Sequence, residues 1–128
     1  MRVFKTKWFA RFAKREGIAD RSLIEAIKRA ERGLVDADLG GGLIKQRIAR
    51  PGKGRSGGYR VVIGYRKGHR AVFIYGLAKS DRANFRNDEL DTARDIGSMW
   101  IFALSEQITR GLREGELVEV EDGNEETE

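Results

Sequence analysis

Cysteine is absent from the 128 residues, which excludes disulfides and thiolate metal sites together. Histidine occurs once, at His69, and one imidazole in a turn-like setting builds neither a metal cage nor a catalytic dyad. Ser56 stands between Arg55 and Gly57 with no partnered histidine, so serine hydrolysis has no support either. Long apolar runs are missing as well. The longest, Met99–Leu104, falls far short of the roughly 20 residues a membrane helix needs. Acids are missing from the N-terminal stretch M-R-V-F-K-T-K-W-F-A-R-F-A-K-R, the first being Glu16. An organellar presequence has that composition, but the segment reads better as an opening strand and helix. These absences fit a cytoplasmic protein with no membrane segment, metal or cofactor.

What is present is charge, unevenly placed. The formal net charge is +5, yet residues 114–128 hold eight acids and no Lys or Arg. Residues 1–113 therefore carry 25 bases against 12 acids, a net of +13. A body with that excess attracts polyanions at a distance, and nucleic acid is the matching partner class. The chain divides accordingly into a domain over residues 1–113 and an acidic, partly disordered tail over 114–128. A tail of that sign is suited to compete with a polyanion for the basic body.

Periodicity gives the elements. Arg2–Lys5 reads as a strand running into a helix from Lys7 to Arg15, where Trp8, Phe9 and Phe12 share a face and pack into a core. Gly17 stops that helix. Asp20 suits the N-cap of a second helix to Arg32, with Leu23, Ile24, Ile27 and Ala30 as its apolar stripe. Gly33 and Gly40–Gly42 mark a loop. The period then becomes two. Leu43–Ile48 sets Ile44 and Ile48 against Lys45 and Arg47, and Tyr59–Tyr65 sets Val61 and Ile63 against Arg60 and Val62. Arg66–His69 is a hairpin turn and Arg70–Gly76 a third strand, so the strands form an antiparallel meander. A last helix over 88–112, capped by Asn87 or Asp88, carries the stripe Ile96, Trp100, Leu104, Ile108 and Leu112. Met99, Ile101 and Phe102 lie off that stripe and suit a protein interface. Leu117–Val120 has the pattern of a short edge strand. The fold class is α+β: a small antiparallel sheet packed on one face by two N-terminal helices, with an extra C-terminal helix.

The glycine-rich stretch R-P-G-K-G-R-S-G-G-Y-R (Arg50–Arg60) is the chemistry-bearing segment. Gly52, Gly54 and Gly57 match a dinucleotide fingerprint in spacing, but that motif must follow a strand and open a helix; here it precedes a strand. The segment reads instead as a loop with Lys53 and Arg55 at its tip, its glycines allowing close approach to phosphate. Arg50, Tyr59 and Tyr75 complete the expected RNA-binding set. Around the loop converge five cations from three strands: Lys45 and Arg47, then Arg60, then Lys79 and Arg82. Arginine offers bidentate phosphate contacts, and such a cluster suits stabilising a phosphorane without metal. Asp81, Asp88, Glu89 and Asp91 suit helix capping better than an ion cage.

Two motifs and the order of elements resemble the RelE/ParE superfamily of bacterial toxins, in its HigB/RelE-like branch. The motifs are G-G-L-I-K-Q-R-I-A-R-P-G-K-G-R-S-G-G-Y-R (Gly41–Arg60) and F-I-Y-G-L-A-K-S-D-R-A-N (Phe73–Asn84), within a resemblance running from Arg2 to Leu90. The resemblance implies a RelE-like fold and a metal-independent endoribonuclease acting on mRNA at the ribosome. It also implies a cognate antitoxin, typically a helix-turn-helix protein encoded adjacently. It assigns Arg60 to transition-state stabilisation, Lys45 and Arg47 to base or phosphate-ligand roles, and Lys79 and Arg82 to the basic cluster after the last long strand. Two departures stand out. Ser80 occupies a place where an arginine serves, and the tyrosine expected a few residues later is replaced by Phe85 and Arg86. Tyr75, Tyr59 and His69 are the candidates to fill those gaps.

Three functional classes follow: an RNA-cleaving toxin, a non-nuclease toxin that binds a protein such as gyrase, and an inactive nucleic-acid-binding module. The five cations favour the first, since a gyrase binder has no need of them around a glycine loop. Fold alone does not separate the three.

Overall fold

The computed structural model describes residues 1–50, 52 and 54–121, with backbone only for 54–56. Six strands form one sheet in the order β2-β3-β4-β5-β1-β6. In chain order the elements are β1 (Arg2–Thr6), α1 (Lys7–Glu16), α2 (Asp20–Glu31), β2 (Ala37–Gly40), β3 (Leu43–Arg50), β4 (Gly54–Arg66), β5 (Arg70–Ala78), α3 (Asn87–Ile101), α4 (Ser105–Arg113) and β6 (Leu117–Glu119). The sheet is mostly antiparallel, as expected, with one exception. β1 lies parallel to β5, pairing Arg2–Lys5 with Arg70–Phe73. The helices α1 and α2 carry the chain from β1 to the far edge of the sheet, and the meander then returns to it.

Both faces of the sheet are covered. On one side Phe9, Phe12, Leu23, Ile27 and Ala30 pack against Ile44, Ile48, Val61 and Ile63, so the N-terminal stripes are core as expected. Trp8 differs: it is 43% exposed and stacks on Phe12 from outside. On the other side Leu43, Val62, Val72 and Ile74 pack against Ala93, Trp100, Ile101 and Ile108. Gly64 and Gly97 bring strand and helix together there, because a Cβ on Gly64 would lie 3.0 Å from the Gly97 Cα.

The expected single C-terminal helix is two. It breaks after Ile101, where Arg70 Nη1 donates to the carbonyls of Trp100 (2.8 Å) and Ala103 (2.9 Å). A guanidinium at a helix C-terminus satisfies orphan carbonyls and complements the dipole. The new helix starts with Gln107 Oε1 accepting the Leu104 N–H at 2.7 Å. Ile101 is buried rather than interfacial, whereas Met99, Phe102 and Leu104 remain exposed. The start of α2 also differs from expectation. Ala19 stands at the N-cap without a side-chain bond, and Asp20 accepts instead from Lys5 Nζ (2.8 Å) and the Glu121 N–H (3.1 Å). Thr6 caps α1, accepting the Phe9 N–H at 3.2 Å. The strand expected near 117–120 is present as β6, antiparallel to β1, so part of the acidic 114–128 segment belongs to the sheet; residues 122–128 lie outside the described residues.

The Arg50–Arg60 segment is not an open loop. Arg50 pairs with Gly54, and β4 begins there. The pairing shifts register between Ile48 and Arg50. Gly58 is required at this irregularity, since a Cβ would sit 2.1 Å from the Ile48 carbonyl oxygen.

One buried polar group ties β3 to the helical layer. Gln46 Nε2 donates to the carbonyls of Ala26 (3.0 Å) and Leu34 (3.1 Å), while Oε1 accepts the Asp36 N–H at 2.8 Å. Removing a partner from buried polar groups costs about 1–3 kcal/mol each. Gln46→Leu is therefore expected to lower stability by about 2–4 kcal/mol in denaturant unfolding; a loss below about 1 kcal/mol would show that these bonds do not hold the strand.

Candidate nucleic-acid interface

Cross-strand register decides which cations meet, because directly opposed residues project from the same face. Arg47 lies opposite Arg60, which lies opposite Leu77; one row away, Lys45 lies opposite Val62, which lies opposite Tyr75. Val62 packs against the α3 layer, so Lys45, Arg47, Arg60 and Tyr75 all belong to the α3 face. Three of the five expected cations thus occupy adjacent positions on it. Arg47 is exposed, Lys45 half-buried, and Arg60 only 9% exposed. Lys79 follows at the end of β5, exposed, with its N–H on the Gly58 carbonyl at 3.0 Å. The turn beyond, in which the N–H groups of Asp81 and Arg82 reach the Ala78 carbonyl, brings Arg82 back to Tyr75.

The backbone under Arg47 is clamped by residues that periodicity alone did not single out. Asp36 Oδ2 accepts the Arg47 N–H at 2.6 Å, and Arg29 Nη2 donates to the Arg47 carbonyl at 2.5 Å. Arg29 is buried and also bonds Glu25 at 2.9 Å, with Asp36 at 3.7 Å. The available signal was Gln46, a polar residue in the apolar phase between Ile44 and Ile48, which requires a polar frame around it.

Arg82 and Tyr75 meet through Glu89. Arg82 donates twice to this carboxylate (2.7 and 2.6 Å), Tyr75 Oη donates to it at 2.6 Å, and the Arg86 N–H at 2.8 Å. Arg82 Nη2 also reaches the Tyr75 oxygen at 3.2 Å. Glu89 therefore fastens the start of α3 to the end of β5. Expected as a helix-capping acid, it does cap, and it also borders the cation face.

Other expected residues lie elsewhere. Tyr59 is 3% exposed on the α1/α2 face, its hydroxyl on the Glu16 carbonyl at 3.2 Å. Its ring is in the core and offers no stacking surface. Arg50 shares that face, its guanidinium 5.7 Å from the Tyr59 ring centre and 3.4 Å from Ser80 Oγ. The two are separated from Arg47 and Arg60 by the thickness of the sheet. His69 is exposed in the β4–β5 turn. Phe85 packs near Tyr75 at 5.6 Å and Arg86 pairs with Asp88, so of the three candidates for the missing side chain, Tyr75 is on the cation face. Lys53 and the Arg55 side chain lie outside the described residues.

The Arg82 guanidinium, more than the Arg86 N–H and the Tyr75 hydroxyl, holds the Glu89 carboxyl down at about 2. Burial, then Glu89, pushes the Tyr75 phenol up. A carboxyl depressed in the folded state contributes stability that is fully present above its ordinary value of 4.5 and is lost as pH falls toward 2. Glu89→Gln is expected to flatten the acid limb of stability across that window and to lower the titration point of Tyr75, read by absorbance of the phenolate. An unchanged acid limb and phenol titration would overturn the assignment.

No helix among the described residues is long and apolar enough to cross a membrane. No curated protein and no solved structure matches the chain. A family model does, described as the RelE toxin of the RelE/RelB toxin–antitoxin system, over residues 1–120. With the α+β fold in agreement, the chain belongs to the RelE toxin family and is the toxin of a toxin–antitoxin pair, with a cognate antitoxin as its partner.

Proposed function

We propose that the chain is a metal-independent endoribonuclease of the HigB/RelE-like branch that cleaves mRNA on the ribosome and so stops translation. The observation that carries this reading is the opposition of Arg47 and Arg60 across β3 and β4, with Lys45 one row away on the same face. Like charges directly opposite one another weaken a sheet. A phosphodiester on that face turns the cost into attraction, and two guanidinium forks suit its oxygens.

In the reaction the ribose 2′-oxygen attacks the adjacent phosphorus. The 2′-O–P bond forms and the P–O5′ bond breaks, leaving a 5′-hydroxyl and a 2′,3′-cyclic phosphate, which water then opens to a 3′-phosphate with the 2′-hydroxyl restored. One group must accept the 2′ proton and another must protonate the departing 5′ oxygen. Arg60 stabilises the extra negative charge of the phosphorane, fixed on the sheet floor and needing little reorganisation. Arg47 holds a non-bridging oxygen. Lys45 and Lys79, on either side of the Arg47–Arg60 row, are the proton carriers: one, as the free amine, takes the 2′ proton, and the other, as the ammonium, gives a proton to the departing 5′ oxygen. Arg82 is already bidentate on Glu89, and it acts by positioning Tyr75, whose ring flanks the scissile phosphate. The partners in this reading are mRNA, the ribosome and an adjacently encoded helix-turn-helix antitoxin.

Inducing the protein in growing bacteria while mapping mRNA ends tests the reading. Wild type should arrest growth and give new codon-positioned ends, and Arg60→Ala should cut them by about 10²–10³-fold, the usual cost of one transition-state charge contact. Arrest without new ends would sink the nuclease reading, and altered DNA supercoiling in its place would point to a gyrase-binding toxin.

A further inference from the structure

The exposed face of α1 is arranged at the helix's own expense. Lys7, Arg11, Lys14 and Arg15 are all exposed, and no acid occupies the first turn. Lys7 is the first residue of the helix, where the dipole disfavours a cation. Arg11 stands four residues from both Lys7 and Arg15 and three from Lys14, and like charges at those spacings weaken a helix. Among the described residues no carboxylate pairs with Lys7, Arg11 or Lys14, and Arg15 has only the neighbouring Glu16 at 3.8 Å. A solvated helix face ordinarily alternates sign, and this one does not.

Trp8 shares the face with Arg11 and Arg15 at helical spacing. Its indole is 43% exposed. It is held by near-parallel stacking on Phe12 (5.4 Å, 16°) and by the tilted Tyr75 ring at 4.3 Å. A rigid, supported and exposed aromatic amid cations is the composition of a single-strand platform, on which a base stacks while phosphates meet Lys and Arg. The platform also adjoins the cation face. Trp8 and Arg15 line a cleft of about 220 Å³ together with Glu16, Leu77, Asp81 and Arg82, and Arg82 reaches the hydroxyl of Tyr75 on the cation face at 3.2 Å.

We propose that the α1 face is a second contact for single-stranded RNA. Trp8 stacks on a base, and Lys7, Arg11, Lys14 and Arg15 hold the backbone of the strand as it leaves the Arg47–Arg60 floor past Arg82. The inference rests on RNA being the ligand of that floor. An acidic peptide would satisfy the cations but leave the indole without a partner, so RNA is the better fit.

The test uses the full chain and a fluorescent 2′-O-methyl oligoribonucleotide of 12 uridines, which cannot be cleaved, with affinity followed by anisotropy against salt. Arg11→Gln with Lys14→Gln should lower the salt slope by about 1.4, the value for two lost phosphate contacts on a single strand. Trp8→Ala should weaken binding by roughly 5- to 150-fold with the slope retained, as expected for one lost stack, and Trp8→Phe should recover part of it. Circular dichroism controls for folding, and the surface pair Arg11/Lys14 keeps the test open if Trp8→Ala does not fold. If Arg60→Ala weakens binding and the α1 variants do not, the α1 inference alone is overturned. If wild type does not bind the oligonucleotide, the RNA reading of both faces falls. Binding of a poly-glutamate peptide that displaces the oligonucleotide and depends equally on Trp8 would also overturn it in favour of a protein partner.

Discussion

Gln46 lies with no exposed surface on the α1/α2 side of β3, its carboxamide shared among the backbones of Ala26, Leu34 and Asp36. The basic face depends on that placement. Side chains alternate along a strand, so fixing Gln46 inward sends Lys45 and Arg47 outward on the other side. A slip of one residue would bury two cations among Leu23, Ile27 and Val61 and strand the amide against α3. Hydrophobic residues alone fix this register weakly here. Leu43 and Ile44 are adjacent and both buried, one on each face, so an apolar residue is available to either phase. Hydrogen bonds are directional where apolar burial is not, and the amide has partners in only one register. Arg29 and Asp36 extend the same frame to the backbone of Arg47.

On the opposite face, α3 packs over Val62 and Ile74, and the candidate site lies beside that contact, with Arg47 exposed and Arg60 buried. The helix makes its closest approach at Gly64 and Gly97, where both residues lack a side chain. Its C-terminal end is held by Arg70, its N-terminal end by Glu89. Pinned at both ends, α3 crosses over Val62 and Ile74 and leaves the Arg47–Arg60–Leu77 row beyond its flank. The carboxylate at that border is fully engaged, since four donors converge on it. It therefore orders Tyr75 and Arg82 while presenting little uncompensated negative charge to an incoming phosphate.

Much of this was legible in the sequence, and the failures have physical causes. The period-two segments located β3, β4 and β5, and the same alternation put Lys45, Arg47 and Arg60 together, as the register has it. Applied consistently, it also assigns Tyr59 to the phase of Val61 and Ile63, and Arg50 to that of Ile48. The structure places the Tyr59 ring in the core on that side, with the Arg50 guanidinium beside it. The parallel pairing of β1 with β5 leaves no local trace, because it is a contact between segments about 70 residues apart. β2, A-D-L-G, has too little β-propensity to be seen. The break between α3 and α4 was hidden by a stripe whose four-residue spacing continues through it. Only the side-chain partners, Gln107 and the distant Arg70, mark the interruption.

The cations of this protein fall into two physical kinds. Arg60 is almost wholly covered, so part of its side-chain entropy is lost at folding rather than at binding, and the strand position of Arg47 is fixed through its backbone. Contacts from such groups depend on exact placement, which is what charge stabilisation in a transition state demands. Lys7, Arg11 and Lys14 are mobile side chains in water, where salt screens their field within about 10 Å at 0.1 M. Their contribution comes from neutralising phosphates and releasing counterions, so it is strong at low salt and largely indifferent to exact geometry. The helix that carries them is weakened by their mutual repulsion, a penalty that a polyanion relieves. A polyanion spanning the two surfaces would be drawn in by the α1 set and held in register by Arg60 and Arg47.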